Sequence, residues 1–239
     1  LAARPVADNV LQVQLAPSLR QCLPALQQPL RRLFDLDVDP VAIATCLESD
    51  GQLAPLSQQT PGLRLPGTLD GFELAMRAVL GQQISVKAAT TLFRRMVERF
   101  GKPVETPFEG LDRLPPPAER IASLEREDLL PCGLTRRRAD TLLALAREVR
   151  DHSLRLDTSA DPQATRQQLL ALPGIGPWTT EYIAMRALGD PDAFPHSDLG
   201  LLKGAGVTKP AELEARSQHW RPWRAYAAFH LWHSLGQGG

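Results

Sequence analysis

The residues best placed for chemistry lie in Leu172-Pro-Gly-Ile-Gly-Pro-Trp178. Gly174 and Gly176 accept backbone conformations that other residues resist, and Pro177 suits the first position of a helix. Helical stretches over 162–171 and 177–188 flank the segment, so the sequence reads as helix, hairpin, helix over 162–188. Amides at the start of the second helix then face outward, where a phosphate can bind. Such a contact positions a nucleic-acid backbone without reading its sequence. The same residues also make an ordinary turn between helices, and the pattern alone does not choose.

About twenty residues on, Ala193-Phe-Pro-His-Ser-Asp198 places a carboxylate immediately before a short helical run, Leu199 to Lys203. As a plain feature, Asp198 is an N-cap. As a functional one, it is a carboxylate at the mouth of a cleft, facing a centre that develops positive charge. One residue can do both, because helix amides favour a negative charge. Aromatic residues make up only 5% of the chain, yet all four Trp and both Tyr follow Pro177. Trp178 and Tyr182 sit four apart on one helical face. On a last helix starting at Pro222, Ala225, Phe229 and Trp232 form one stripe, and Trp223, Tyr226, His230 and His233 another. Core packing accounts for most such residues; a surplus near a carboxylate also suits a stacking pocket for a flat, cationic ligand. His230 and His233 lack a third metal ligand at suitable spacing and read as surface or core histidines. The run Arg136, Arg137, Arg138 reads as a solvated helix start or as a phosphate clamp.

The elements that must position these residues are mostly helical. Residues 9–15 alternate apolar and polar, the one clear strand signal. A lone strand is unstable, so its partners are expected upstream of Leu1. Helices are expected over Pro17–Phe34, with Leu19, Leu23, Leu26, Leu30 and Leu33 on one face, and over Pro40–Leu47. Gly51 to Thr68, with three prolines and three glycines, reads as a loop. Further helices are expected over Asp70–Gly81, from a Ser85 cap to Phe100, over Thr135–His152, and from an Asp161 cap with Pro162 to Ala171. Leu114-Pro-Pro-Pro reads as a loop, followed by short helical turns to Leu130.

Composition bounds the rest. The chain has 239 residues, 27 basic and 27 acidic side chains and 43% hydrophobic residues, enough for one large or two modest cored units. No apolar run approaches the roughly 18 residues of a membrane span. Cys22, Cys46 and Cys132 are too few for a four-cysteine zinc or iron–sulfur site and odd in number, so no disulfide framework is expected and a reducing, cytoplasmic setting is the default. With zero net charge, any nucleic-acid contact must rest on local positive charge. The opening Leu1-Ala-Ala-Arg-Pro5 carries neither Met nor a signal pattern and reads as part of a longer polypeptide, or as numbering begun at the first ordered residue.

Taken together, the 172–176 hairpin and the Pro-His-Ser-Asp198 segment resemble the helix–hairpin–helix superfamily of DNA glycosylases. Leu63-Arg-Leu-Pro-Gly67, Ala78-Val-Leu-Gly-Gln-Gln-Ile-Ser-Val86, Gly174-Ile-Gly-Pro-Trp-Thr179 and Trp220-Arg-Pro-Trp-Arg-Ala-Tyr226 look like the 3-methyladenine DNA glycosylase II (AlkA) type. The likeness runs from about residue 9 to 235. It implies a mainly α fold: two helical subdomains over 61–239 with a cleft between them, and the remnant of an N-terminal α+β domain over 1–60. It also implies Asp198 as the catalytic carboxylate and Trp178, Tyr182 and Trp232 as the base pocket. DNA contacts carry over to Gln82, Gln83, Ser85, Gly174, Ile175 and Gly176, with Gln83 at the place of a wedge inserted into the duplex. A monovalent cation on hairpin carbonyls near Leu172 and Gly174 is implied, and no cofactor is required. Two departures stand out. Leu199 follows the aspartate where a relative has an aromatic, which weakens that wall for stacking. Trp178 occupies the place of the lysine that backbone-cutting relatives use, so an amine nucleophile is missing there.

The activity implied is monofunctional removal of alkylated bases such as 3-methyladenine from double-stranded DNA in base excision repair. The setting is the bacterial cytoplasm and nucleoid, with the chain a monomer, fusion to an upstream regulatory domain being permitted. A glycosylase for oxidised or mismatched bases, and a hairpin DNA-binding module without catalysis, stay open beside it.

Overall fold

Short polar side chains start six of the helices in this computed structural model, which describes residues 2–7 and 10–236. In chain order, β1 (Ala2–Ala7) pairs antiparallel with β2 (Val10–Gln14), in a register that sets Ala3 opposite Val13. A 3-10 stretch, Pro17–Cys22, leads into α1 (Leu23–Leu33), then α2 (Pro40–Leu47) and α3 (Leu53–Gln59). Next come α4 (Gly71–Gly81) and α5 (Val86–Phe100), and a two-residue pairing of β3 (Lys102–Pro103) with β4 (Arg113–Leu114). α6 (Ala118–Ala122), α7 (Arg126–Leu129) and α8 (Arg136–Arg150) follow. The glycine hairpin lies between α9 (Pro162–Ala171) and α10 (Pro177–Arg186), and α11 (Leu199–Ala205), α12 (Pro210–Ser217) and α13 (Arg224–Gly236) complete the fold. Asp39, Asp70, Ser85, Thr135, Asp161 and Asp198 each accept a backbone N–H of the helix they precede, satisfying donors a helix start leaves unpaired. Among the described residues no helix is long and apolar enough to cross a membrane.

Several expectations need correction. The strand over 10–14 has an antiparallel partner within the chain, β1; Asn9, its expected first residue, lies outside the described residues. The single helix over 17–34 is divided at Leu23 and Pro24, since proline has no N–H to continue the ladder and suits a helix start. The loop over 51–68 contains α3, with Leu53 fully buried. Tertiary contacts nucleate that helix. Asp50 accepts from the amides of Gln52 and Leu53, at 2.9 and 3.1 Å, and is itself held by Arg216 at 2.7 Å and Trp220 Nε1 at 3.0 Å. Leu114 pairs with Lys102 before the prolines begin. The last helix starts at Arg224, two residues after Pro222.

Two buried clusters divide the helices. One joins α4–α9, from Phe72 and Met76 to Leu142, Leu169 and Ile175. The other joins α2 and α3 with α11–α13, around Leu47, Leu53, Leu201, Trp220 and Leu231. α10 serves both, giving Ile183 to the first and Ala184 and Met185 to the second. A cleft between the clusters therefore has α10 along its floor.

His230 illustrates what burial does in the second cluster. It is 3% exposed, with Nδ1 3.3 Å from Thr60 Oγ1. Burial, and secondarily the charge of His233, push its imidazole down to about 4 from the usual 6.5. A depressed histidine leaves stability intact above pH 6.5 and removes it as pH falls toward 4, because the unfolded chain takes the proton first. About 2 kcal/mol is expected to disappear between pH 7.5 and 5. Urea unfolding at the two pH values measures it, and His230→Gln should flatten that interval. An equally steep loss in the variant would acquit His230.

Candidate active site

Asp198 is delivered to the cleft by a well-tied loop. Arg166 on α9 bridges Glu181 at 2.8 Å and Asp190 at 2.6 Å, and Glu181 accepts the Phe194 amide at 3.0 Å. From the other side, Arg224 holds Asp192 at 2.8 Å and the Ala225 amide donates to the Pro191 carbonyl at 2.9 Å. These pairs are shielded enough to fix geometry, the role in which buried or half-buried ion pairs are best attested.

Three donors hold the carboxylate itself. Oδ1 accepts from the Leu201 amide at 2.9 Å and from Trp232 Nε1 at 2.8 Å, and Oδ2 accepts from Trp178 Nε1 at 2.7 Å. A carboxylate offers about four acceptor sites, so Oδ2 keeps one for a reacting group. Asp198 is thus an N-cap whose carboxylate also lines the cleft. Gly200 permits the close approach: a Cβ there would lie 2.9 Å from Asp198 Oδ1 and 3.2 Å from the Trp232 ring.

Around the carboxylate opens a cleft of about 520 Å³, lined by Trp178, Tyr182, Phe229 and Trp232 on one side. Trp178 and Tyr182 stack at 5.4 Å with rings within 5° of parallel, and Phe229 meets Trp232 edge-on at 5.4 Å. From α4 and α5 come Arg77, Val86 and Phe93. Arg77 lies over the Phe93 ring at 3.5 Å and donates to Glu73 at 2.8 Å. The sequence-predicted Asp198, Trp178, Tyr182 and Trp232 therefore meet in one place. Leu199 does not form a wall of it: the side chain is 82% exposed and outside the lining, because it is the first residue past the Asp198 cap and points away from the helix's packed face.

The hairpin lies against the α4–α5 turn, whose Gly81 and Ile84 line the cleft. Gly174 has φ +87°, in the region that favours glycine, and Ile175 is buried behind it. Thr141 on α8 donates to the Pro173 carbonyl at 2.9 Å. Gln82 donates both to the Gly174 carbonyl and to Thr179 Oγ1, each at 3.0 Å, so its side chain ties the α4–α5 turn to the hairpin. Arg138 reaches the Gln82 carbonyl. Gln83, beside it, is exposed with φ +56°, and Ser85 is exposed while capping α5. Gly176 caps α10 without a side-chain acceptor, leaving first-turn amides open to an anion. Arg136 and Arg137 stand exposed at the start of α8, and Arg137, one turn before Thr141, shares the face that meets the hairpin.

Sequence reasoning did not find Arg77, Phe93 or Arg186 in the cleft. Arg186 had a signal, since it continues the Trp178–Tyr182 spacing by one more helical turn. Arg77 and Phe93 had none, because only the packing of α4 on α5 turns them inward.

The AlkA N-terminal domain family matches residues 1–70, and the HhH-GPD superfamily of base excision DNA repair proteins matches residues 76–220. Over 235 residues the chain is 44% identical to a probable bifunctional transcriptional activator/DNA repair enzyme AlkA of Mycobacterium tuberculosis, covering 97% of this chain and 47% of that protein. It is 31% identical to DNA-3-methyladenine glycosylase 2 of Escherichia coli, covering 97% and 79%. The chain thus spans about half the length of the M. tuberculosis relatives. The solved 3-methyladenine DNA glycosylase of Archaeoglobus fulgidus has the same fold, with a TM-score of 0.78 at 24% identity over 96% of this chain and 80% of that one. By sequence and by fold, the chain belongs to the HhH-GPD superfamily of base excision DNA repair proteins and carries an AlkA N-terminal domain.

Proposed function

We propose that the chain is a monofunctional DNA glycosylase that releases alkylated bases such as 3-methyladenine from duplex DNA and leaves an abasic site. One observation carries this reading: a carboxylate gripped by two indole N–H groups at the edge of an aromatic cleft. The name of the Escherichia coli relative, DNA-3-methyladenine glycosylase 2, supports the glycosylase part of this reading.

The amides of the hairpin and of α10 hold a phosphate, Gln83 fills the gap in the stack, and the damaged nucleotide turns into the cleft. An alkylated purine carries positive charge, so it stacks well on Trp178 and Tyr182, by about 1–2 kcal/mol where desolvated. The C1′–N bond breaks and its electron pair leaves with the base, which becomes neutral. Asp198 stabilises the oxocarbenium-like sugar through the free site on Oδ2. Water then adds to C1′ and gives up a proton, to Asp198 or to solvent. Water is the only co-reactant, so no cofactor is needed. With Trp178 where an amine would stand, no Schiff base forms and strand cleavage is not expected. One duplex lesion needs one copy of the cleft, and the enzyme acts as a monomer.

The hairpin also suits a monovalent cation. The Leu172 and Gly174 carbonyls each accept one hydrogen bond, from the Ile175 amide at 3.2 Å and from Gln82 at 3.0 Å, and each keeps a second lone pair. Neutral oxygens without a carboxylate fit an alkali ion, which would add positive charge beside the phosphate. Among the described residues, no group of three His, Cys, Asp or Glu side chains is placed to hold a metal.

Release of free methylated bases from methylated duplex DNA, with strands examined before and after alkali, tests the activity. Base release with breaks only after alkali is expected; bound DNA with no release would leave a binding module. A second test addresses the interface. Arg136→Ala with Arg137→Ala should weaken binding to an abasic-site duplex and reduce the slope of log affinity against log salt by about 2. An unaltered slope would remove both arginines from the DNA surface.

A further inference from the structure

Trp178, Tyr182 and Arg186 follow one another at four-residue spacing, so all three lie on one face of α10. Asp198 binds the Trp178 indole at one end of this face. Arg186 stands at the other, about 12 Å along the helix axis. Its guanidinium carbon lies 5.8 Å from the Tyr182 ring centroid and 5.9 Å from that of Phe229, within the lining of the cleft. It is also firmly held. Nε donates to the Pro66 carbonyl, and Nη1 donates to the Tyr182 hydroxyl at 3.2 Å.

Two facts make this residue unlike the other cleft cation. Arg77 is paired with Glu73 and covered by the Phe93 ring. Arg186 has no carboxylate partner among the described residues, and its Nη2 meets no protein acceptor there. A guanidinium only donates. A half-buried, unneutralised donor in an aromatic cleft calls for an acceptor from the ligand, because an unpaired polar group there is costly.

We propose that Arg186 is a specificity-determining residue of the cleft, selecting bases with a ring carbonyl on the edge far from the glycosidic bond over bases with an exocyclic amine there. The inference rests on the base-excision reading of the site. With the glycosidic atom at Asp198 and the rings over Trp178 and Tyr182, a purine directs its six-position edge along α10 toward Arg186. An oxo-purine offers the guanidinium an acceptor, which also offsets its charge against a cationic ring. An amino-purine opposes donor to donor, and the two positive charges add to the mismatch.

Duplex DNA treated with a methylating agent contains both kinds of base, 7-methylguanine with its carbonyl and 3-methyladenine with its amine. The ratio of their release rates is compared for wild type, Arg186→Met and Arg186→Lys. In Arg186→Met, 7-methylguanine release is expected to fall at least tenfold further than 3-methyladenine release. Arg186→Lys, which keeps a charged donor, should give an intermediate ratio. A common factor for both bases would overturn the proposal, since it is the signature of an arginine that only braces Tyr182 and Pro66. If Arg186→Met melts or fails to bind an abasic-site duplex, the Arg186→Lys ratio decides. Wild-type protein that releases neither base would overturn the base-excision reading itself, whereas normal release with an unshifted ratio overturns only the role of Arg186.

Discussion

In Asp198→Asn, base release is expected to drop by at least about three orders of magnitude while the protein folds and binds abasic-site DNA. A carboxylate about 4 Å from a developing positive charge contributes roughly 4 kcal/mol at an effective dielectric of 20, close to three decades in rate. Asparagine removes that charge without removing the cap, because Asn serves at helix starts about as well as Asp. Its carbonyl can still accept from the Leu201 amide and Trp232 Nε1, as Oδ1 does. Its NH2 group then meets Trp178 Nε1, the donor now satisfied by Oδ2. That donor-to-donor contact costs on the order of 1–3 kcal/mol and turns the Trp178 ring. Melting temperature is therefore expected to fall by only a few degrees. Asp198→Ala separates the effects, since it loses the cap as well, for a further 0.5–2 kcal/mol or so. Excision by Asp198→Asn within tenfold of wild type would end the assignment of Asp198 as the catalytic carboxylate and leave it a cap.

The parts of this molecule that could be read in its sequence are those whose cause is local. The hairpin is specified by Gly174, Gly176 and Pro177 through backbone freedom and helix-start chemistry, and Asp198 by its place before a helix. Both lie where expected, and the expected aromatic residues converge on the carboxylate. What stayed hidden depends on distant partners. α3 forms in a proline- and glycine-rich stretch because Asp50 is fixed by Arg216 and Trp220, more than 160 residues away. β1 shows no clean alternation, yet it pairs with β2. The grip of two indoles on one carboxylate cannot be seen in a linear pattern that counts Trp178 and Trp232 only as stacking surfaces. Gln82 shows the same limit: its type suits DNA, while its amide group is already engaged by Gly174 and Thr179.

Gly174→Ala is expected to damage the hairpin more than any other single methyl group placed in it. An added Cβ would lie 2.0 Å from Thr141 Oγ1, and φ of +87° is itself unfavourable to alanine by about 1–2 kcal/mol. Relief requires Thr141 to withdraw, yet Thr141 is 2% exposed and its single hydroxyl proton is shared between the carbonyls of Arg137 and Pro173, both at 2.9 Å. Loss of that bond costs about 0.5–1.5 kcal/mol, so with the backbone strain a destabilisation of roughly 1.5–3.5 kcal/mol is expected overall. The displacement also moves the Gly174 carbonyl away from Gln82, freeing the turn that presents Gln83. DNA affinity should therefore fall more than tenfold even at temperatures where the variant is folded. Adding Thr141→Ala separates clash from strain. It clears the Oγ1 overlap and leaves the positive φ, so the double variant should regain part of the stability of the single one. At Gly176, where a Cβ would meet nothing within 4 Å, alanine should cost under about 1 kcal/mol. Equal losses of DNA affinity in Gly174→Ala and Gly176→Ala, measured on folded protein, would show that the hairpin's worth lies in its open amides and not in the geometry that Gly174 alone permits.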